Sequence, residues 1–101
     1  MIDMLGRIGE FGYIHNIDTG VDLSANYVSS SIHYKSPAGT VTEKVCDTVT
    51  AATGDYGWTV TAGFFATEGV WEAQLEVNLG AVAGIRKLKN PILFRIGAAG
   101  E

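Results

Sequence analysis

Residues 70–79 constrain this chain more than any other segment. Trp71, Ala73, Leu75, Val77 and Leu79 fall in one phase of a two-residue period, and Glu72, Gln74, Glu76 and Asn78 fall in the other. Only an extended strand sends alternate side chains to opposite faces, so this segment needs a core on one side and water on the other. The same period recurs over residues 27–35, where Val28, Ser30, Ile32 and Tyr34 alternate with Ser29, Ser31, His33 and Lys35. It appears again in the Tyr56, Trp58 and Val60 phase of residues 55–61. Threonine, valine, isoleucine and aromatics between short turn signals make β-structure the expectation throughout and give helix little support.

Turn chemistry divides the strands. Ser36-Pro37-Ala38-Gly39 sets proline early and glycine late, so residues 40–49 are expected to return against residues 27–35 as a hairpin. In that hairpin Val41, Val45 and Val49 share one side and Thr42 and Cys46 lie on the other. A second hairpin joins residues 70–79 to 85–96 through the flexible stretch 80–84. Trp71 opposite Phe94 then brings Ala73 to Ile92, Val77 to Leu88 and Glu76 to Lys89, matching apolar and ionic partners together. Pro91 lacks an amide donor, which marks its strand as an edge or a bulged one. Residues 7–17 read as extended, weakened by Gly9 and Gly12 and closed by Asp18-Thr19-Gly20. Residues 62–69 read as a crossover between sheets that drops a phenylalanine onto the core.

The sum is six or seven short strands in 101 residues, an all-β antiparallel sandwich with Trp58, Trp71, Phe94 and Tyr34 at its centre. A chain of this length has room for one core, so residues 1–101 are expected to form a single domain, with an N-terminal arm over residues 1–6 and a C-terminal tail over 97–101. Eleven acids against seven bases give a net charge of −4, the wrong sign for gathering phosphates, and nucleic acid is not an expected partner. No stretch has the apolar length of a membrane span, and the first ten residues lack a basic and then apolar leader, so a soluble protein without a membrane partner is expected.

Reactive chemistry has few candidates. The lone Cys46 has no partner for a disulfide and no thiolate companions for zinc, and it reads as an inert strand thiol. His33 lies in the polar phase of its strand, and both it and His15 read as solvated or interface residues rather than catalytic bases. Asp18 and Asp22 lack the alternating ligand spacing of a calcium loop and read as turn formers. Gly6, Gly9 and Gly12 recur at threes rather than as a phosphate-cradling fingerprint. No catalytic residue, cofactor or metal is therefore expected, and the chain reads as a non-enzyme. Apolar material near both ends supplies the interface candidates Ile2, Met4, Leu5, Phe94 and Ile96, which either pack beneath their own sandwich or reach a neighbouring subunit.

The order of turn and core signals also carries a resemblance. Asp22-Leu23-Ser24 leads into a strand, Tyr34-Lys35-Ser36-Pro37-Ala38-Gly39-Thr40 closes it, and Gly69-Val70-Trp71 opens a long alternating strand. Over residues 20–79 this resembles the small immunoglobulin-like proteins of tailed bacteriophages, which include baseplate upper protein N-terminal domains and related neck and tail components. The resemblance implies an Ig-like fold and a non-enzymatic virion component assembled in the host bacterial cytoplasm. It would be present in several copies, with other phage structural proteins or further copies of itself as partners. Two other readings are a capsid cement or decoration protein, and a carbohydrate- or receptor-binding module using Tyr13, Phe64 and Phe65 as loop platforms.

Overall fold

The computed structural model describes residues 4–98, with side chains except at 82–83 and 86–90. The described residues form eight strands: β1 (Met4–Arg7), β2 (Ile14–Asp18), β3 (Ser29–Lys35), β4 (Val41–Val45), β5 (Thr48–Thr50), β6 (Asp55–Thr59), β7 (Gly69–Asn78) and β8 (Ile85–Gly97). A single helical turn, α1 (Gly80–Ala83), joins the last two. One sheet has five strands in the order β1-β8-β7-β3-β4, and the other has three in the order β2-β6-β5. Every neighbouring pair is antiparallel except β1 with β8, which run parallel.

The strand count exceeds the expected six or seven because two segments change sheets midway. Residues 7–17 do not form one strand. β1 bonds to β8, and the chain then turns through Gly9 and Gly12, both at positive φ, before β2 pairs with β6 in the other sheet. Residues 40–49 divide likewise. The Cys46 amide still donates to Ser30 of the five-stranded sheet at 2.9 Å, whereas the next amide, Asp47, donates to Gly57 of the three-stranded sheet at 3.0 Å. The expected arm over residues 1–6 is, from Met4 onward, a paired strand; Met1, Ile2 and Asp3 lie outside the described residues. Of the expected tail, Gly97 ends β8, and residues 99–101 lie outside the described set.

The predicted alternation in β7 is observed: Trp71, Ala73, Leu75, Val77 and Leu79 are buried. They meet Ile32 and Tyr34 of β3 and Phe94 and Ile96 of β8, and the three-stranded sheet contributes Ile17, Tyr56 and Trp58 to the same cluster. Ring contacts cross between the sheets, with Tyr34 and Trp58 centroids 5.9 Å apart and His15 and Phe94 5.2 Å apart, both edge-on, as aromatic quadrupoles favour. Each large side chain buried in this layer contributes on the order of 1.5–3 kcal/mol.

The register of β7 with β8 holds at one end and slips at the other. Trp71 faces Phe94 and Ala73 faces Ile92 as expected, but Leu75 then faces Leu88, Glu76 faces Lys87 and Val77 faces Arg86. Two extra residues of β8 are accommodated opposite Gln74, around Pro91. A residue without an N–H cannot continue the ladder, so the strand bulges there. β8 nonetheless lies between β1 and β7, so it is a bulged interior strand and not an edge. The turn at Pro37-Ala38-Gly39 closes as read: the Gly39 amide donates to Ser36 at 2.9 Å, the Ser36 amide donates to Thr40 at 2.9 Å, and Gly39 takes φ 92°.

Candidate functional site

The interface candidates divide by burial. Phe94 is 5% exposed and Ile96 0%, both inside the shared core, so neither can meet another subunit without unfolding β8. Their phase on β8 points them inward opposite Trp71 and Gly69. Leu5 is half-buried against the same core, Met4 is 39% exposed at the β1 edge, and Ile2 lies outside the described residues. Of the loop aromatics, Phe65 is buried and Tyr13 and Phe64 are partly buried. Phe65 is 2% exposed, Phe64 packs against the core, and the Tyr13 hydroxyl is enclosed. The crossover turns both phenylalanines toward the core, where they pack edge-on against each other and against Tyr34, and Phe65 also packs edge-on against Trp71.

Exposed apolar side chains include a set on the outer face and free edge of the five-stranded sheet, besides Phe11, Ile14, Val21 and Val28 elsewhere. Val41 and Val45 of β4 are 64% and 70% exposed, and Val70, Leu93 and Ile85 are also exposed. The hairpin expectation placed Val41, Val45 and Val49 on one side; Val41 and Val45 share the outward face, and Val49 belongs to β5 in the other sheet. In the structure β4 turns Lys44 inward, its Nζ over the rings of Trp58 (5.4 Å) and Phe64 (4.9 Å), and the two valines therefore face outward.

Two polar clusters flank β3, one on each face. On the inner face His15, expected as a solvated or interface residue, is buried in the core because β2 turns it toward Phe94 and Tyr34. Trp58 Nε1–H donates to Tyr34 Oη at 2.6 Å, and Tyr34 Oη lies 2.5 Å from His15 Nδ1. Having accepted the indole N–H, the Tyr34 hydroxyl still has its own proton to donate, and Nδ1 of a neutral imidazole protonated on Nε2 is an acceptor within reach. Burial holds His15 down at about pKa 4 and pushes the Tyr34 phenol up. A hydrogen-bonded chain thus ties β6, β3 and β2 across the core. Cys46 lies between β4 and β5 rather than within a strand, and is a buried thiol whose pKa burial raises.

On the outer face, adjacent positions of β4, β3 and β7 bring Glu43, His33 and Glu76 together. His33 stands directly opposite Glu43, and Glu76 stands opposite Ser31, one pleat away. His33 Nε2 lies 3.6 Å from Glu43 Oε2 and 3.5 Å from Glu76 Oε2. The nitrogen is enclosed, and among the described residues it forms no hydrogen bond. Buried Ser31 donates through Oγ to Glu43 Oε2 at 2.7 Å. Beside the cluster opens a cleft of about 230 Å³ whose walls include Ser31, Glu43, Val45, Glu76 and Asn78. His33, expected as a solvated or interface residue, is 31% exposed in its side chain, and nothing in the two-residue period pointed to the Glu43–His33–Glu76 convergence. Period two predicts the face of each side chain, whereas convergence also requires the pairing of three strands.

No family model, curated protein or solved structure matches this chain. Residue chemistry and geometry therefore carry the functional reading. Asp18 and Asp22 behave as turn formers: Asp18 Oδ1 accepts the Gly20 amide at 2.9 Å, and Asp22 Oδ1 accepts the Ser24 amide at 2.9 Å and its hydroxyl at 2.6 Å. Those bonds from Ser24 hold the Asp22 carboxyl below the usual range. Among the described residues the group with donor atoms close enough to share an ion is His33, Glu43 and Glu76.

Proposed function

We propose that this chain is an immunoglobulin-like β-sandwich serving as a non-enzymatic structural protein of a tailed-bacteriophage virion, in the tail, neck or baseplate, joined to its neighbours through β4. Support for the fold comes from strand order. The three-stranded β2-β6-β5 sheet and the β4-β3-β7-β8 part of the larger sheet follow the B-E-D and C′-C-F-G orders of such sandwiches, although β1 pairs with β8 in parallel. Where antibody domains place a disulfide between the sheets, this chain has a single cysteine and the Trp58–Tyr34–His15 chain.

One observation carries the assembly reading, the character of the β4 edge. Natural edge strands are commonly guarded by lysine, proline or a bulge. Here the lysine of β4 is turned inward over aromatic rings, and the outward positions are Val41, Glu43 and Val45, with both valines largely exposed. An edge whose outward side chains are two exposed valines on either side of a single carboxylate suits strand addition by a neighbouring subunit, with backbone bonds for affinity and valines for register.

Mass-spectrometric counting of the chain in purified particles of the phage encoding it tests the reading. Six to a few dozen copies per particle are expected for a tail, neck or baseplate component, and hundreds would move it to the capsid as a decoration protein. The V41K/V45K double variant should fold with unchanged thermal stability yet be lost from particles. Absence of the chain from particles would overturn the virion reading, and wild-type incorporation of the double variant would overturn the role of β4.

A further inference from the structure

We propose that Glu43, His33 and Glu76 bind one divalent first-row transition-metal ion, with Zn²⁺ as the fitting occupant, on the outer face of the five-stranded sheet. The distances suit a shared central ion better than a direct contact. A charge-assisted hydrogen bond between imidazole and carboxylate closes to about 2.7–2.9 Å, and His33 Nε2 instead stands nearly equidistant from two carboxylate oxygens, at 3.6 Å and 3.5 Å. Ligands about 2.0–2.1 Å from a tetrahedral ion are separated from one another by roughly 3.3 Å. The three donor atoms all lie within 4.8 Å of one another, about 1.5 Å beyond that spacing at most.

The donors also select the class of ion. One imidazole nitrogen with two carboxylates favours zinc and its neighbours over calcium or magnesium, which take oxygen ligands throughout. Two carboxylates balance the charge of a divalent cation. Ser31, buried beneath the cluster, donates to Glu43 Oε2 at 2.7 Å and orients that carboxylate as an outer-shell partner does in metal sites. Three protein donors leave a fourth position open, and the adjoining cleft of about 230 Å³ has room for water there. Since the donors come from three neighbouring strands, an ion would also cross-link β4, β3 and β7.

Isothermal titration of the purified full chain with ZnCl₂ at pH 7.5, in a buffer that does not chelate, tests the site. One equivalent of Zn²⁺ is expected to bind, and a hundredfold excess of Mg²⁺ should not displace it. Glu76→Gln and His33→Asn should each weaken binding at least about tenfold. Both variants change outward side chains, and far-UV circular dichroism with thermal unfolding confirms that they fold. Co²⁺ substitution should give visible d–d bands in the wild type that are lost in the His33 variant. No Zn²⁺ binding up to millimolar concentration would overturn the proposal, as would equal affinity in the wild type and both folded variants.

Discussion

Acidification should destabilise this fold through His15 before its carboxylates take part. The buried imidazole titrates at about 4 in the folded chain against 6.5 for an unperturbed histidine. Its folded pKa is lowered, so the unfolded chain binds a proton first as pH falls. The contribution is fully present above pH 6.5 and is lost progressively as pH drops toward 4. Between pH 7.5 and 4.5 this linkage removes about 2.5 kcal/mol, a large share of the 5–15 kcal/mol typical of a domain. For a chain of this size that corresponds to a fall in Tm of roughly 10–20 °C. Asp22 and Asp55, whose pKa values are lowered by hydrogen bonds from Ser24 and from Thr53 and Asn16, lose their contributions only below this window. Urea unfolding followed by the fluorescence of Trp58 and Trp71, at half-unit steps of pH, measures the loss. His15→Gln keeps an acceptor for the Tyr34 hydroxyl but cannot titrate, and it retains His33, so the difference between wild type and variant isolates His15. The variant should be less stable at neutral pH and markedly flatter from pH 6.5 to 4.5. Parallel profiles, or an NMR titration placing His15 near 6.5, would refute the reasoning.

Three further outcomes follow from the same geometry. Tyr34→Phe strands the Trp58 indole N–H and His15 Nδ1 inside the core, and should cost about 2–4 kcal/mol by urea unfolding, since each buried group left unpaired costs about 1–3 kcal/mol. Gly54→Ala should cost about 1–3 kcal/mol, because Gly54 sits at φ +82° and a Cβ there would meet the Val21 backbone N and O at 2.7 Å; Gly39→Ala, at φ +92° with open space, should cost about 1 kcal/mol. The Cys46 thiol, buried and with its pKa raised, should react with a disulfide reagent at pH 8 at least about 100-fold more slowly in the native chain than in denaturant.

The residues that alternate most cleanly were the ones whose structure could be read from the sequence. In β7, and in Tyr56, Trp58 and Val60 around β6, each buried side chain follows from the local two-residue period, and the proline–glycine turn after β3 closes as its chemistry requires. What escaped was decided by long-range pairing. Whether residues 7–17 remain one strand depends on β8 and β6 offering separate partners to either side of Gly9 and Gly12. Lys44 turns inward, and Val41 and Val45 outward, because Trp58 and Phe64 lie beneath β4. The slip near Pro91 depends on the number of residues β8 must fit between two fixed pairs, which alternation in β7 alone does not specify.

β3 couples the two polar clusters. Tyr34 points inward to Trp58 and His15, while the preceding residue, His33, points outward between Glu43 and Glu76. A one-residue slip of β3 would exchange the faces, burying His33 among aromatics and exposing the Tyr34 hydroxyl. The inner hydrogen-bonded chain therefore penalises every register but the native one. That same register places His33 opposite Glu43 and one pleat from Glu76. An outer cluster of three side chains from three strands needs sub-ångström placement to act together, and loops would not supply it. The pairing inside the core fixes the geometry outside it.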